Sequence, residues 1–155
     1  MKIARAALTL RGNPKGKWLA DRSSAGDDVY FTVPGIATVR WDEPQKTVLV
    51  EWDGWANAAE FKTLLDAEVK ALRDHRGTCL LADCRRQRIL NLADQERANR
   101  EWLPEVVAAG LKRFAIVLPE SETAAGHLRE RLSSVTEMEV AYFATVEEAR
   151  AWLGR

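Results

Sequence analysis

Apolar and polar positions alternate in short runs over the last two thirds of the chain, and the period of the alternation switches repeatedly between strand-like and helix-like. Residues 35–41 and 47–52 are β-rich runs joined by Asp42, Glu43 and Pro44, which predicts an antiparallel hairpin. Val48, Val50 and Trp52 share one parity and predict one well-buried face, while Thr47, Leu49 and Glu51 fall on the other. The period then lengthens. Phe61, Leu64, Leu65, Val69 and Leu72 stand at helical spacing behind Asn57, an N-cap with Glu60 three residues on, and the helix is expected to stop near Gly77. Residues 78–83 form a short apolar run, as in a strand covered on both faces. Asn91 with Asp94 opens a second helix ending at Gly110, and Pro104 inside it predicts a kink or break near Leu103. A strand at 114–118, a helix from Ser121 to Leu132 and a strand at 140–143 follow. Thr145 and Glu148 then make a capping box for a last helix with Val146, Ala149, Trp152 and Leu153 on one face. This alternation predicts an α/β fold: a mixed, mostly parallel sheet flanked by about four helices, with an antiparallel hairpin at its N-terminal side.

The first residues read differently. Residues 3–10 are a short apolar run with Ala4, Ala6, Leu8 and Leu10 on one parity, a candidate edge strand, and residues 11–28 are rich in turn formers. The chain is therefore divided into an arm, residues 1–29, and a body, residues 30–155. The segment from Gly12 to Lys17 looks faintly like a phosphate loop. Its glycine spacing is one residue short, and Trp18 stands where a magnesium-binding hydroxyl is needed, so no nucleotide site is expected. Residues 1–26 carry six Lys and Arg against the single Asp21, a net +5 that the rest of a formally neutral chain balances. Without aromatic interleaving, the basic arm reads as a solvated loop rather than a nucleic-acid platform, and no nucleic-acid partner is expected.

Composition adds limits rather than an activity. At 155 residues, with 46% hydrophobic and 30% charged, the chain can bury a core without disulfides or metal. Cys79 and Cys84, five residues apart on an extended segment, are too far separated to bridge, which fits reduced thiols in the cytoplasm. Arg5 and Arg11 leave the start too interrupted for a signal peptide, and no run reaches membrane-spanning length. His75 and His127 stand far apart with no metal-ligand spacing, no G-x-S-x-G elbow is present, and no cofactor or catalytic activity is expected. The candidate contact residues lie where strands run out into helices: Gly54 and Trp55 after one strand, Asp83, Arg85 and Arg86 after the next, and Asn91 at the following helix start. Ligands of open α/β sheets bind at that edge, and arginines near helix N–H groups suit an anion. The plainer alternatives are a solvated loop in which Asp83 braces an arginine, and core packing for Trp55.

The order of VLVEWDGW, NAAEFK, LLADCR, a helix containing EW, GLKRFAIVLP and YFATVEEARAWL resembles the SpoIIAA-like family, relatives of STAS and SEC14 domains, over about residues 30–154. The resemblance implies a small cytoplasmic α/β domain with a mixed sheet and without catalytic activity, acting as a regulatory or protein-interaction domain. STAS antagonists are switched by phosphorylation at a helix start; the matching residues here, Asn91, Leu92, Ala93 and Asp94, carry no hydroxyl, so that site is not carried over. The SEC14 side implies instead a pocket for a small apolar or lipid-like ligand. A protein partner is thus expected, with an apolar ligand as the alternative and homodimerisation left open.

Overall fold

A computed structural model describes residues 17–18, 27–88 and 91–155. In chain order the elements are β1 (Lys17–Trp18), β2 (Asp27–Val33), β3 (Ala37–Asp42), β4 (Thr47–Trp52), α1 (Ala58–His75), β5 (Cys79–Asp83), α2 (Leu92–Ala109), β6 (Arg113–Val117), α3 (Glu122–Leu132), β7 (Glu139–Phe143) and α4 (Val146–Leu153). The strands form one sheet whose spatial order equals the chain order. Pairing is antiparallel from β1 to β4 and parallel from β4 to β7. Because each parallel crossover steps one strand in the same direction, crossovers of one hand carry α1, α2 and α3 to a single face. The main core lies there, with Val48, Val50, Leu80, Ala82, Phe114 and Ile116 against helix residues such as Leu64, Leu72 and Val106.

The fold is the expected mixed α/β sheet with four helices and an antiparallel N-terminal side. Two strands differ from the sequence reading. Lys17–Trp18 is a strand within the stretch read as turns, and β2, which crosses the boundary drawn at residue 30, was not anticipated. β2 begins with two aspartates, poor strand formers, and a register shift between Val29 and Phe31 breaks its period. Tyr30 and Phe31, adjacent in sequence, are both fully buried as a result. The candidate strand at 3–10 lies outside the described residues.

Among the described residues, α4 covers part of the opposite sheet face. Leu49, Leu81, Ala115 and Val117 pack under Ala149 and Leu153 of α4, so Thr47 and Leu49 are buried as well as the predicted face of β4. Trp152 holds the helix down, its ring 5.7 Å from Phe143 and beneath the Arg113 guanidinium at 4.2 Å. Beyond α4 this face carries half-buried polar pairs: Thr32 to Thr38 at 3.0 Å and Arg40 to Glu51 at 3.0 Å.

The helix ends follow their caps. Asn57 and Glu60 form a full capping box, and Asn91, Ser121 and Thr145 each accept from the backbone N–H three residues on. α1 closes on Arg76 in the left-handed conformation (φ 55°), with Gly77 N donating to Leu72 O at 2.9 Å. Gly77 is needed for another reason: a Cβ there would stand 2.9 Å from the Trp41 ring. α2 does not break at Leu103 but continues through Pro104 to Ala109, with Pro104 on its exposed side.

Candidate functional site

Parallel crossovers gather the carboxyl ends of β4 and β5 with the N-termini of α1 and α2 on one edge of the sheet. Gly54 is forced there by a close approach, since a Cβ would meet the Gly35 carbonyl oxygen at 2.6 Å. That approach fixes the loop after β4. Asp53 N donates to Ile36 O at 2.7 Å on one side, and Arg88 N donates to Gly54 O at 3.2 Å on the other. Trp55 and Arg88 are thereby joined in a parallel bridge, with the Arg88 guanidinium 6.0 Å above the indole. Trp55 is 49% exposed, so it is presented outward rather than packed in the core.

The candidate residues divide between two sides of this edge. Gly54 and Trp55 stand beside a mouth formed by the starts of α1 and α2, where Asn57, Arg88 and Asn91 are part of the wall. Asn91 Oδ1 accepts from Asp94 N at 3.0 Å, and Asn57 Oδ1 accepts from Glu60 N at 2.8 Å. Asp83, Arg85 and Arg86 lie instead around a polar hollow with Glu51, Asp53 and Thr38, toward the α4 face. Arg85 binds Asp83 through two charge-assisted hydrogen bonds, 2.9 and 2.7 Å, and Arg86 pairs with Asp53 at 2.7 Å. Burial works to raise the Asp83 carboxyl, but the hydrogen bonds and charge of Arg85, helped by the charge of Arg86, hold it below its ordinary range. The two arginines are thus braced by carboxylates and are not brought to Asn91.

Behind the mouth the molecule is hollow. Trp52, Phe61, Gln87 and Gln95 wall both the mouth and an inner cavity of about 40 Å³. Glu68 of α1 lines that cavity while only 3% exposed, and burial pushes its carboxyl up to about 8, against the opposing influence of the nearby Trp102 indole. Trp102 Nε1, also buried, has the Glu68 carboxyl as its neighbouring acceptor, outside ideal hydrogen-bond geometry. Asn99, Trp102 and Leu132 then form a wall shared with a third space, a groove of about 500 Å³ between α2 and α3. Leu92, 41% exposed, stands at its end.

Glu68 and Trp102 were not singled out from the sequence. The signal for Glu68 was present: it stands seven residues after Phe61 and three after Leu65, on the stripe that faces the core. A charged residue on that stripe marks either an error in the period or a buried polar site.

Among the described residues no cluster of three or more His, Cys, Asp or Glu is placed to hold a metal ion, and no helix is long and apolar enough to cross a membrane. Cys79 and Cys84 are both free thiols. The family profile described as SpoIIAA-like matches residues 47–154, from β4 to the end of α4. The chain belongs to the SpoIIAA-like family. Among solved structures it is similar to an uncharacterised protein of the DUF3478 family with a SpoIIAA-like fold from Shewanella loihica PV-4. The two share 19% identity and superpose with a TM-score of 0.52 over 69% of this chain and 83% of the other, a likeness of fold. No curated protein matches the chain.

Proposed function

We propose that this SpoIIAA-like chain is a non-catalytic interaction module of a regulatory kind, working in the cytoplasm and binding a protein partner at the strand-exit edge. The observation that carries the reading is Trp55. Half of an indole is left in water on a loop held rigid from both sides, by the Gly54 approach to Gly35 and by the bridge to Arg88. An exposed, preorganised aromatic beside a guanidinium is the composition of an interface anchor, and it loses little conformational freedom on binding. The start of α2 offers no hydroxyl for a phosphate, and Asn91 is committed to capping Asp94 N, so control by phosphorylation at that position is not part of the proposal. The test is capture of partners from the source cell with wild-type protein and with Trp55→Ala and Arg88→Ala. A partner that requires both side chains supports the reading; partners retained equally by both variants count against it.

A second reading, a carrier or sensor of a small apolar molecule, is favoured by the groove between α2 and α3. Its volume of about 500 Å³ falls in the range of small-molecule sites, whereas the inner cavity of about 40 Å³ admits little more than a single polar group. Native mass spectrometry of the purified protein, with extraction of any bound molecule, separates the two: a stoichiometric small-molecule adduct supports the second reading, and none is expected on the first.

A further inference from the structure

The two ends of the sheet are finished differently. On one side β1 is only two residues long, and β2 beside it is interrupted by the register shift between Val29 and Phe31; both are devices that keep a sheet edge from pairing further. On the other side β7 has neither. It runs in unbroken register with β6 for five residues, from Glu139 to Phe143, without lysine or proline, and among the described residues no strand lies beyond it. Val140, Ala141, Tyr142 and Phe143 are half-buried, whereas every residue of β6 after Arg113 is buried. The backbone shows which groups face outward. Glu139 N donates to Lys112 O at 2.9 Å and Phe143 O accepts from Leu118 N at 2.9 Å, so residues 139, 141 and 143 turn their peptide groups toward β6. Val140, of the other parity, turns its N–H and C=O away from the sheet, where water or another strand has to satisfy them.

We propose that β7 is a dimer edge: a second copy of this chain adds its own β7 antiparallel, about a two-fold axis at Ala141, and joins two sheets into one. Self-complementarity selects this occupant. Ala141 is the centre of the strand, so an axis there keeps every pair within β7, whereas an axis at Val140 or Tyr142 carries the pairing past one end. Val140 then stands opposite Tyr142 of the partner subunit as a hydrogen-bonded pair, repeated by symmetry, with an aliphatic side chain against an aromatic one. Ala141 meets Ala141 of the partner subunit as a non-hydrogen-bonded pair, where a small side chain suits a Cα spacing of about 4.5 Å. Charge agrees with this register. Glu139 is the one charged residue of β7 and is held by Arg113 at 3.1 Å, and the axis sets it opposite Phe143 of the partner subunit rather than another carboxylate. Antiparallel pairing also turns the two strand-exit edges to opposite ends of the joined sheet, so the dimer presents one Trp55 at each end.

The experiment is sedimentation velocity on the full chain, with amide exchange by NMR to place the contact. Dimer is expected to dominate at ~200 μM and monomer at ~1 μM, the weak affinity of a small interface. Val140→Pro removes an outward N–H while leaving the bonds to β6 in place, and should raise the dissociation constant about tenfold or more. In the wild type the Val140 amide should exchange about tenfold more slowly at the higher concentration, while the Ala141 amide, which faces β6, exchanges alike at both. Ala141→Cys should form a covalent dimer under mild oxidation, because the spacing at the axis lies in the disulfide range, and Ala144→Cys, off the axis, should not. Thermal melts show whether Val140→Pro is folded; the exchange and cross-linking results carry the test if it is not. A chain that stays monomeric at ~500 μM overturns the proposal. So does a dimer in which the Val140 amide exchanges as in the monomer, or one that a folded Val140→Pro leaves intact. A monomer that pairs this edge with a strand of another protein overturns the second copy as its occupant.

Discussion

Glu68 costs the folded protein stability, and the sign of that cost fixes a pH dependence. Its carboxyl ordinarily titrates at 4.5 and in the fold at about 8, so between those values the unfolded chain has released a proton that the folded chain retains. Stability is therefore greatest below about pH 4.5 as far as this group is concerned. It falls as pH rises through the window, by at most ~1.4 kcal/mol per unit, and levels off above about 8. Among the other residues that wall the cavity, Gln95, Asn99 and Trp102 of α2 and Leu128 and Leu132 of α3 do not titrate in this range, and Cys84 is the remaining ionisable side chain. Glu68→Gln should flatten the curve, with denaturant unfolding at pH 5 and pH 8 giving more nearly equal stabilities than in the wild type. An unchanged slope would show that Glu68 is ionised in the fold. Gly54 supplies a second prediction: Gly54→Ala drives a Cβ into the Gly35 carbonyl, which no side-chain rotation relieves. The expected loss is about 1–3 kcal/mol, with the environment of Trp55 altered in its fluorescence.

α4 shows how one short helix is fixed to a sheet. Arg150 forms an ion pair with the buried Asp42 at the end of β3 and reaches Gln45 Oε1 at 3.1 Å, while Gln45 Nε2 donates to Arg150 O at 3.0 Å. Arg150→Ala would leave the Asp42 carboxylate in the interior without its partner, and a loss of about 3–5 kcal/mol is expected in thermal or denaturant unfolding. A change below about 1 kcal/mol would mean that water replaces the arginine. Asn91→Ala removes the α2 cap and should cost about 0.5–2 kcal/mol by the same measurement. The caps at Asn57, Asn91, Ser121 and Thr145 were legible because a capping residue acts on a backbone three positions away. β2 was not, because its apolar content sits in adjacent residues across a bulge and its partners lie in β1 and β3. The clasp between Asp42, Gln45 and Arg150 joins residues 105 to 108 positions apart and has no local signature.

Among the described residues the sheet has two unlike faces, three helices over a continuous core on one and a single helix beside half-buried polar pairs on the other. Strand order follows chain order, so every strand-to-helix exit from β4 to β6 opens on the same edge. The sequence placed Gly54, Trp55, Asp83, Arg85, Arg86 and Asn91 on that edge because parallel connections demand it. It could not tell which side of the sheet each would serve, since a loop after a strand carries no parity. Carboxylates close by hold Arg85 and Arg86, whereas Trp55 and Arg88 are braced by backbone and remain presented. The most direct measurement is quantitative binding of the captured partner to four folded variants, Trp55→Ala, Arg88→Ala, Arg85→Ala and Arg86→Ala. Trp55→Ala should weaken binding by about 2 kcal/mol or more, some thirtyfold, Arg88→Ala by somewhat less, and the two paired arginines least. Binding by Trp55→Ala at wild-type strength, with the largest loss in Arg85→Ala or Arg86→Ala, would contradict the account and move the interface to the α4 side of the sheet.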